Sequence, residues 1–245
     1  MREILADLVA EQQYLDQFLQ SVPERQWSRP TPAAGWDIRA QVSHLAHGEE
    51  AAALILEGKP EDIDIPAGGY EVIDKWTSIG VEKGRGMRYQ EVIEWWRFSR
   101  ARVVDALSHM DRSDRVDWVA GPMSAKTFAT LRLMETWAHG LDIQHAMESE
   151  PEDTPRIRHI AWLAWRMLPW AFQMAGDDYA APVRVELMGP NYARWVYGPD
   201  DTDQVIKGIA GEWCRVAVQR LDVTVTGLKA TGNVAQRALH LVRAY

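Results

Sequence analysis

Cysteine is almost absent from this sequence, and so are long hydrophobic runs. One cysteine among 245 residues cannot form a disulfide within the chain. The most apolar stretch, 160–175, is interrupted by Arg166 and Pro169 and is shorter than the about 20 residues that a membrane helix needs. The first seven residues include charged side chains and begin no long apolar run, unlike a secretory signal. We therefore expect a protein of the reduced, cytoplasmic compartment with no membrane partner.

Basic charge is also scarce. The chain has 27 lysines and arginines against 35 acidic residues, a formal net charge of −8 and a pI near 5.4. Such a balance does not attract phosphate backbones, so we expect no nucleic-acid partner. A G-x-S-x-G motif is missing, and the glycines of 80–86 lack the strand and the Lys-Ser/Thr ending of a phosphate-binding loop. Serine-hydrolase and P-loop chemistry therefore have no support.

Four amphipathic segments dominate the first 150 residues. Their apolar side chains recur every three to four positions, which is the pattern of helices with one buried face. The segments are residues 4–18, 36–57, 90–110 and 124–147. Asp37 is typical of a helix N-cap for the second of them. Prolines and glycines predict a long connection over 58–88, with at most a short helix around 72–79.

The pattern changes after residue 150. A polar linker at 148–155 precedes a tryptophan-rich helix at 156–175, which Pro169 should bend. Alternating apolar and polar residues predict strands at 183–187 and 193–197. Residues 203–207 fit either a strand or a helix, and Val223 and Val225 alternate with threonines as in a strand. Helical periodicity is present at 209–221 and at 233–244. We thus expect an α+β protein with three parts: a four-helix bundle (1–150), a connecting helix (151–180) and a C-terminal α+β domain (181–245).

Glu135 and His139 form the most informative polar pair. Their i, i+4 spacing places both side chains on one helix face, where they can converge on a divalent ion. Such pairs also occur on solvated helix faces without any ligand. Here apolar neighbours surround the pair, at Leu133, Met134 and Trp137 among others, which favours a position near the bundle interior. An ionisable group there needs a partner.

His44 on the second helix is the predicted partner. It lies two turns after Asp37 on the stripe that includes Gln41, and a neutral imidazole there completes a set of two histidines and one glutamate. That set with an open fourth position is typical of catalytic zinc. His47, three residues further, is either a fourth ligand, a residue at the pocket mouth or a surface histidine. Asp142, at i+3 from His139, either holds that imidazole's other nitrogen or lies on the surface.

Two motifs resemble a known family. Residues 35–46 (GWDIRAQVSHLA) and the pattern Glu135-x-x-x-His139-x-x-Asp142 resemble the mycothiol-dependent maleylpyruvate isomerase family within the DinB-like metalloprotein superfamily. Residues 195–201 and 211–220 resemble the C-terminal domain of an actinobacterial-type subgroup. The resemblance covers most of the chain and implies a DinB-like bundle followed by a smaller, sterol-carrier-like α+β domain. It also implies a divalent ion, usually zinc, held by His44, Glu135 and His139. Glutamate at 135 favours the isomerase branch over the three-histidine DinB branch.

The resemblance implies a low-molecular-weight thiol such as mycothiol as cosubstrate, with a small-molecule substrate. Zinc lowers the pKa of a bound thiol, and thiolate can add to a cis double bond conjugated to a carbonyl. The resulting single bond rotates before elimination returns the trans isomer; thiol transfer to an electrophile is the alternative. Acidic groups on thiol and substrate need a cation, for which the family uses a C-terminal arginine. Arg220 is the match and Arg215 the next candidate.

Two other functions remain open from the sequence. One is a non-catalytic protein that binds an apolar ligand and carries a structural metal, and the other is a metal-dependent hydrolase. Cys214, between Trp213 and Val216 on an amphipathic segment, is expected to be a core residue rather than a nucleophile. The substrate, the thiol, the native metal and the oligomeric state are not defined by these patterns.

Overall fold

The computed structural model describes residues 1–63, 70–118 and 121–244, without the side chains of 70–74. The chain divides into two compact units, Met1–Pro151 and Glu152–Tyr245. Across the described residues, no helix has the length and hydropathy required to span a bilayer.

Among its described residues, the first unit contains five α-helices and one pair of short strands. The helices are α1 (Arg2–Ser21), α2 (Ile38–Leu56), α3 (Tyr70–Arg85), α4 (Tyr89–Ser108) and α5 (Ala125–Ala146). Strands β1 (Arg115–Trp118) and β2 (Gly121–Ser124) pair antiparallel between α4 and α5, in a region for which the sequence predicted only a break. The Asp37 carboxylate accepts a hydrogen bond from the Ala40 backbone N–H at 2.8 Å, which confirms the predicted N-cap of α2.

Helix α3 corrects the predicted long connection over 58–88. It has 16 residues, so the expected short helix at 72–79 is too short; Pro66, Gly68 and Gly69 lie outside the described residues. Gly80 and Gly84 are not loop glycines, since both lie inside α3 and face α2 at close range. A methyl group at Gly84 would overlap the Ser43 side chain, and one at Gly80 would overlap His47. These glycines therefore permit close packing of two helices.

One apolar cluster of the first unit joins α1, α2, α4 and the end of α5. Leu15, Val42, Trp96 and Ile143 are all buried within it, and full burial of each such side chain contributes about 1.5–3 kcal/mol. Because α2 and α5 both contribute to the first unit's core, their rotation about their own axes is fixed. That rotation sets the direction of the polar residues described below.

The second unit is an α+β fold. Its helices are α6 (Arg158–Arg166), α7 (Leu168–Met174), α8 (Ala210–Ala217) and α9 (Asn233–Leu241), and its strands are β3 (Arg184–Met188), β4 (Arg194–Tyr197), β5 (Val205–Ile209) and β6 (Lys229–Thr231). The sheet order is β4-β3-β5-β6. Strands β3 and β5 are parallel, and the other neighbouring pairs are antiparallel.

Several sequence expectations for this unit are confirmed and others are wrong. The tryptophan-rich helix breaks at Met167, where Pro169 occupies the first turn of α7. The ambiguous segment 203–207 contributes to strand β5. Val223–Val225 is a short 3-10 helix rather than a strand, and β6 was not predicted. Helix α8 ends at Ala217, four residues before the predicted end.

Candidate metal centre

The first unit brings His44, Glu135 and His139 together. Oε2 of Glu135 lies 3.4 Å from Nε2 of His44 and 3.4 Å from Nε2 of His139. One ligand atom from each residue lies within 4.8 Å of the others. Glu135 and His139 are one turn apart on α5, and His44 reaches them from α2. The convergence that the i, i+4 spacing predicted is thus present between two neighbouring helices.

Two of the three separations match those of a tetrahedral divalent site. A tetrahedral site with bonds of about 2.1 Å has ligand atoms about 3.4 Å apart, which is the separation of Glu135 from each imidazole. The side chains are 16%, 19% and 12% exposed for His44, Glu135 and His139. The group is therefore accessible from one side, and two nitrogens and one oxygen leave a coordination position for a further ligand.

The protonation states also suit a metal. Burial lowers the pKa of His44 to about 4, with a further contribution from His139, so this imidazole is neutral near pH 7. Burial alone raises the pKa of Glu135. Interactions with the adjacent His139 and His44 imidazoles outweigh that effect and hold the pKa well below its usual value. Metal ligation requires this combination of neutral imidazole and ionised carboxylate.

A glutamine that the sequence analysis did not assign to the site contacts His139. Nδ1 of His139 lies 2.5 Å from Oε1 of Gln41. Asp142 lies behind this contact, with its Oδ2 3.3 Å from Nε2 of Gln41 and 3.9 Å from Nδ1 of His139. The hydrogen-bond partner of the imidazole's outer nitrogen is therefore Oε1 of Gln41, and Asp142, which is buried rather than on the surface, contacts Gln41. The sequence signal for this contact was the position of the Gln41 amide on the core-facing stripe of α2.

Trp36 flanks the two histidines. Its ring centroid lies 5.1 Å from that of His44 and 6.0 Å from that of His139, nearly parallel to the latter. Trp36 is half-buried, so its ring forms an apolar wall beside the candidate centre.

His47 does not join the cluster of ligand atoms found among the described residues. Its ring packs 4.5 Å from that of Trp76 on α3 and 6.3 Å from that of Trp95 on α4. Burial lowers the pKa of His47. Its role as a fourth ligand therefore has no geometric support, and it contributes instead to the contact of α2 with α3.

A buried ion pair lies one turn from Glu135. Nε of Arg132 donates to Oε1 of Glu49 at 3.1 Å, and the two side chains are 4% and 0% exposed. The guanidinium also lies 5.6 Å from the Trp118 ring. This pair ties α5 to α2 beside the candidate ligands.

The second unit contains the remaining predicted residues. The Arg220 guanidinium donates to the Val218 carbonyl at 2.8 Å, and Arg215 forms an ion pair with Asp153 at 2.9 Å. Cys214 is fully buried, as expected of a core residue, and burial raises its pKa well above the usual value. A thiol in that state is a poor nucleophile.

Fold and site together define a class: a two-unit α+β protein whose helical unit can hold a divalent ion between two histidines and a glutamate. Residues 8–144 match the family described as the mycothiol maleylpyruvate isomerase N-terminal domain. This match covers more than half of the chain, so the protein belongs to that family.

The chain is also similar to two relatives and two solved structures. Two uncharacterized proteins, from two strains of Mycobacterium tuberculosis, are each 32% identical over 242 residues, which cover 98% of this chain and 94% of theirs. Crystal structures of mycothiol-dependent maleylpyruvate isomerase and of a histidine-to-alanine mutant of it give TM-scores of 0.64 and 0.63 at 16% identity, over 94% of this chain and 92% of those chains. At that identity the similarity shows the fold, which confirms the predicted α+β architecture.

Proposed function

We propose that this protein is a divalent-metal-dependent enzyme that uses a low-molecular-weight thiol such as mycothiol, and that His44, Glu135 and His139 hold the metal, most simply zinc. The convergence of these three side chains, each partly open to solvent, carries the proposal. Family membership supports the thiol, since the solved relatives are mycothiol-dependent.

A bound zinc ion would supply acidification of a thiol that occupies its open position. The chain's own residues prepare that position. Glu135 provides an anionic ligand, the histidines provide neutral ones, and the Trp36 ring limits the approach of water from one side. Since the buried Cys214 is the only thiol in the sequence, the nucleophile must be an added one.

The proposed reaction is cis-trans isomerisation or thiol transfer. In isomerisation the thiolate forms a C–S bond to one alkene carbon, and the alkene electron pair moves toward the conjugated carbonyl. The former double bond rotates, and elimination expels the thiolate and restores the alkene in the trans form, so the thiol is regenerated. We propose Arg220 as the group that binds an acidic part of the substrate or thiol, on the resemblance of residues 211–220 to the family's C-terminal domain.

Metal content tests the ligand set. We expect about one divalent ion per chain in the wild type, and its loss in His44→Ala, Glu135→Ala and His139→Ala. His145→Ala is the matched control because His145 lies on α5 but is exposed and outside the ligand cluster. Elemental analysis that finds full occupancy in the three ligand variants would disprove the assignment.

Turnover with and without thiol tests the reaction class. Isomerisation of a cis-enoyl acid such as maleylpyruvate, or thiol transfer to an electrophile, should require both metal and added thiol, and Arg220→Ala should reduce it. Metal-dependent turnover that never responds to thiol would favour a hydrolase. Tight binding of an apolar ligand without any turnover would favour a binding protein.

A further inference from the structure

We propose that Gln41 is a positioning residue for the candidate metal centre: it holds the proton of His139 on Nδ1, so that the Nε2 lone pair faces Glu135 and His44. The inference rests on the proposed metal site. It concerns how this chain orients its own ligand, and it has a readout in the metal-free protein.

The direction of the hydrogen bonds follows from a backbone carbonyl. The Trp36 carbonyl can only accept, and Oγ1 of Thr31 lies 2.9 Å from it, so the Thr31 hydroxyl donates its single proton there. Oγ1 of Thr31 also lies 2.8 Å from Nε2 of Gln41. Because the hydroxyl proton is already used, Thr31 must accept this second hydrogen bond from the amide.

Asp142 fixes the same orientation from the other side. Nε2 of Gln41 lies 3.3 Å from Oδ2 of Asp142, so both amide protons have an acceptor. A flipped amide would place Oε1 of Gln41 against the carboxylate and against an oxygen that has no proton to donate. The observed orientation is thus the one that satisfies Thr31 and Asp142 together.

Oε1 of Gln41 is then an acceptor aimed at His139. At 2.5 Å from Nδ1 it requires a proton on that nitrogen. Nε2 is then the nitrogen of His139 that can lose its proton and ligate a metal, and it lies 3.4 Å from Oε2 of Glu135. A deprotonated Nε2 beside that carboxylate oxygen is complementary to a cation. A hydrogen bond that selects the tautomer of a ligating histidine also fixes its ring orientation.

The test combines ring-nitrogen NMR of metal-free protein with zinc affinity from chelator competition. Gln41→Met keeps the side-chain length and removes the acceptor. Gln144→Met is the matched control, since Gln144 is a buried amide that bonds the Gly140 carbonyl and Tyr14. In the wild type, Nδ1 of His139 should carry a proton because it faces the Gln41 acceptor.

Gln41→Met should move that proton toward Nε2 and weaken zinc binding by about 10- to 100-fold. Gln144→Met should match the wild type in both measurements. A wild-type His139 without a proton on Nδ1, or a Gln41→Met variant with unchanged Nδ1 protonation and zinc affinity, would overturn the proposal. The wild-type measurement decides even if Gln41→Met fails to fold. A wild type that takes up no zinc would refute the metal centre, while the tautomer would still decide the role of Gln41.

Discussion

The buried ion pair between Arg132 and Glu49 allows a quantitative test of the first unit. Replacing Arg132 with methionine keeps much of the side-chain volume but leaves the Glu49 carboxylate without its cation at a site that is 0% exposed. Oε2 of Glu49 has no hydrogen-bond partner in the part of the chain that the structure describes, so Arg132 is its main compensation there. Breaking a buried pair in this way costs about 3–5 kcal/mol.

The loss of stability caused by Arg132→Met should depend on pH in a defined direction. Burial raises the pKa of Glu49 even though Arg132 opposes the effect. Removing Arg132 raises that pKa further. A carboxyl group whose pKa is higher in the folded state favours folding below its unfolded pKa of about 4.3, and this contribution is lost as the pH rises through the folded pKa. The penalty of Arg132→Met should therefore be smaller in mild acid than at pH values above neutrality.

Amide hydrogen exchange in α2 and α5 of metal-free protein measures this penalty for the first unit alone. The double variant Glu49→Met with Arg132→Met removes both charges and should recover most of the lost stability, because an apolar replacement of a buried pair is often neutral. A cost below about 1 kcal/mol for Arg132→Met above neutral pH, or a cost that does not change with pH, would mean that the pair is not buried as described.

Three further variants test other parts of the chain. Cys214→Ser should lower the free energy of unfolding by about 1–2 kcal/mol, because a hydroxyl enters a fully buried site. The variant should still turn over substrate. A folded, metal-loaded but inactive variant would make Cys214 the nucleophile. Gly84→Ala should weaken the α2–α3 contact by about 1–3 kcal/mol through overlap with α2. Gly86→Ala should not, because the nearest atom to an added methyl group there is 3.8 Å away. Equal urea midpoints for the two variants would refute this. Burial raises the pKa of Asp16, but hydrogen bonds from Arg97 and other partners outweigh it and lower the pKa. Asp16→Asn should therefore be less stable than the wild type above about pH 4, and the difference should vanish as the pH falls through the folded pKa; a constant difference in urea titrations would contradict this.

The sequence predicted the ligand cluster because its signals are local. Glu135 and His139 share a helix face by spacing alone, and the Asp37 cap fixes where α2 begins, so the position of His44 on the buried stripe follows. The contact between Gln41 and His139 could not be predicted, because an amide on a helix stripe bonds whichever group the neighbouring helix presents.

The largest error in the predicted fold concerns Gly80 and Gly84. Glycine usually indicates a turn, but here the missing side chains allow α3 to approach α2. Only the tertiary contact distinguishes these two uses of glycine. Similarly, Val223 and Val225 alternate as in a strand, yet the Asp222 side chain accepts from the Thr224 N–H and favours a local 3-10 turn.

The sequence separation within the ligand set has a kinetic consequence. His44 and Glu135 are 91 residues apart. The chain therefore loses the conformational entropy of this long loop when α2 docks against α5. A partly folded chain offers only the local Glu135 and His139 pair. If that docking limits the folding rate, a metal that needs all three ligands binds only after the rate-limiting step. It should lengthen the lifetime of the folded unit while leaving its refolding rate almost unchanged.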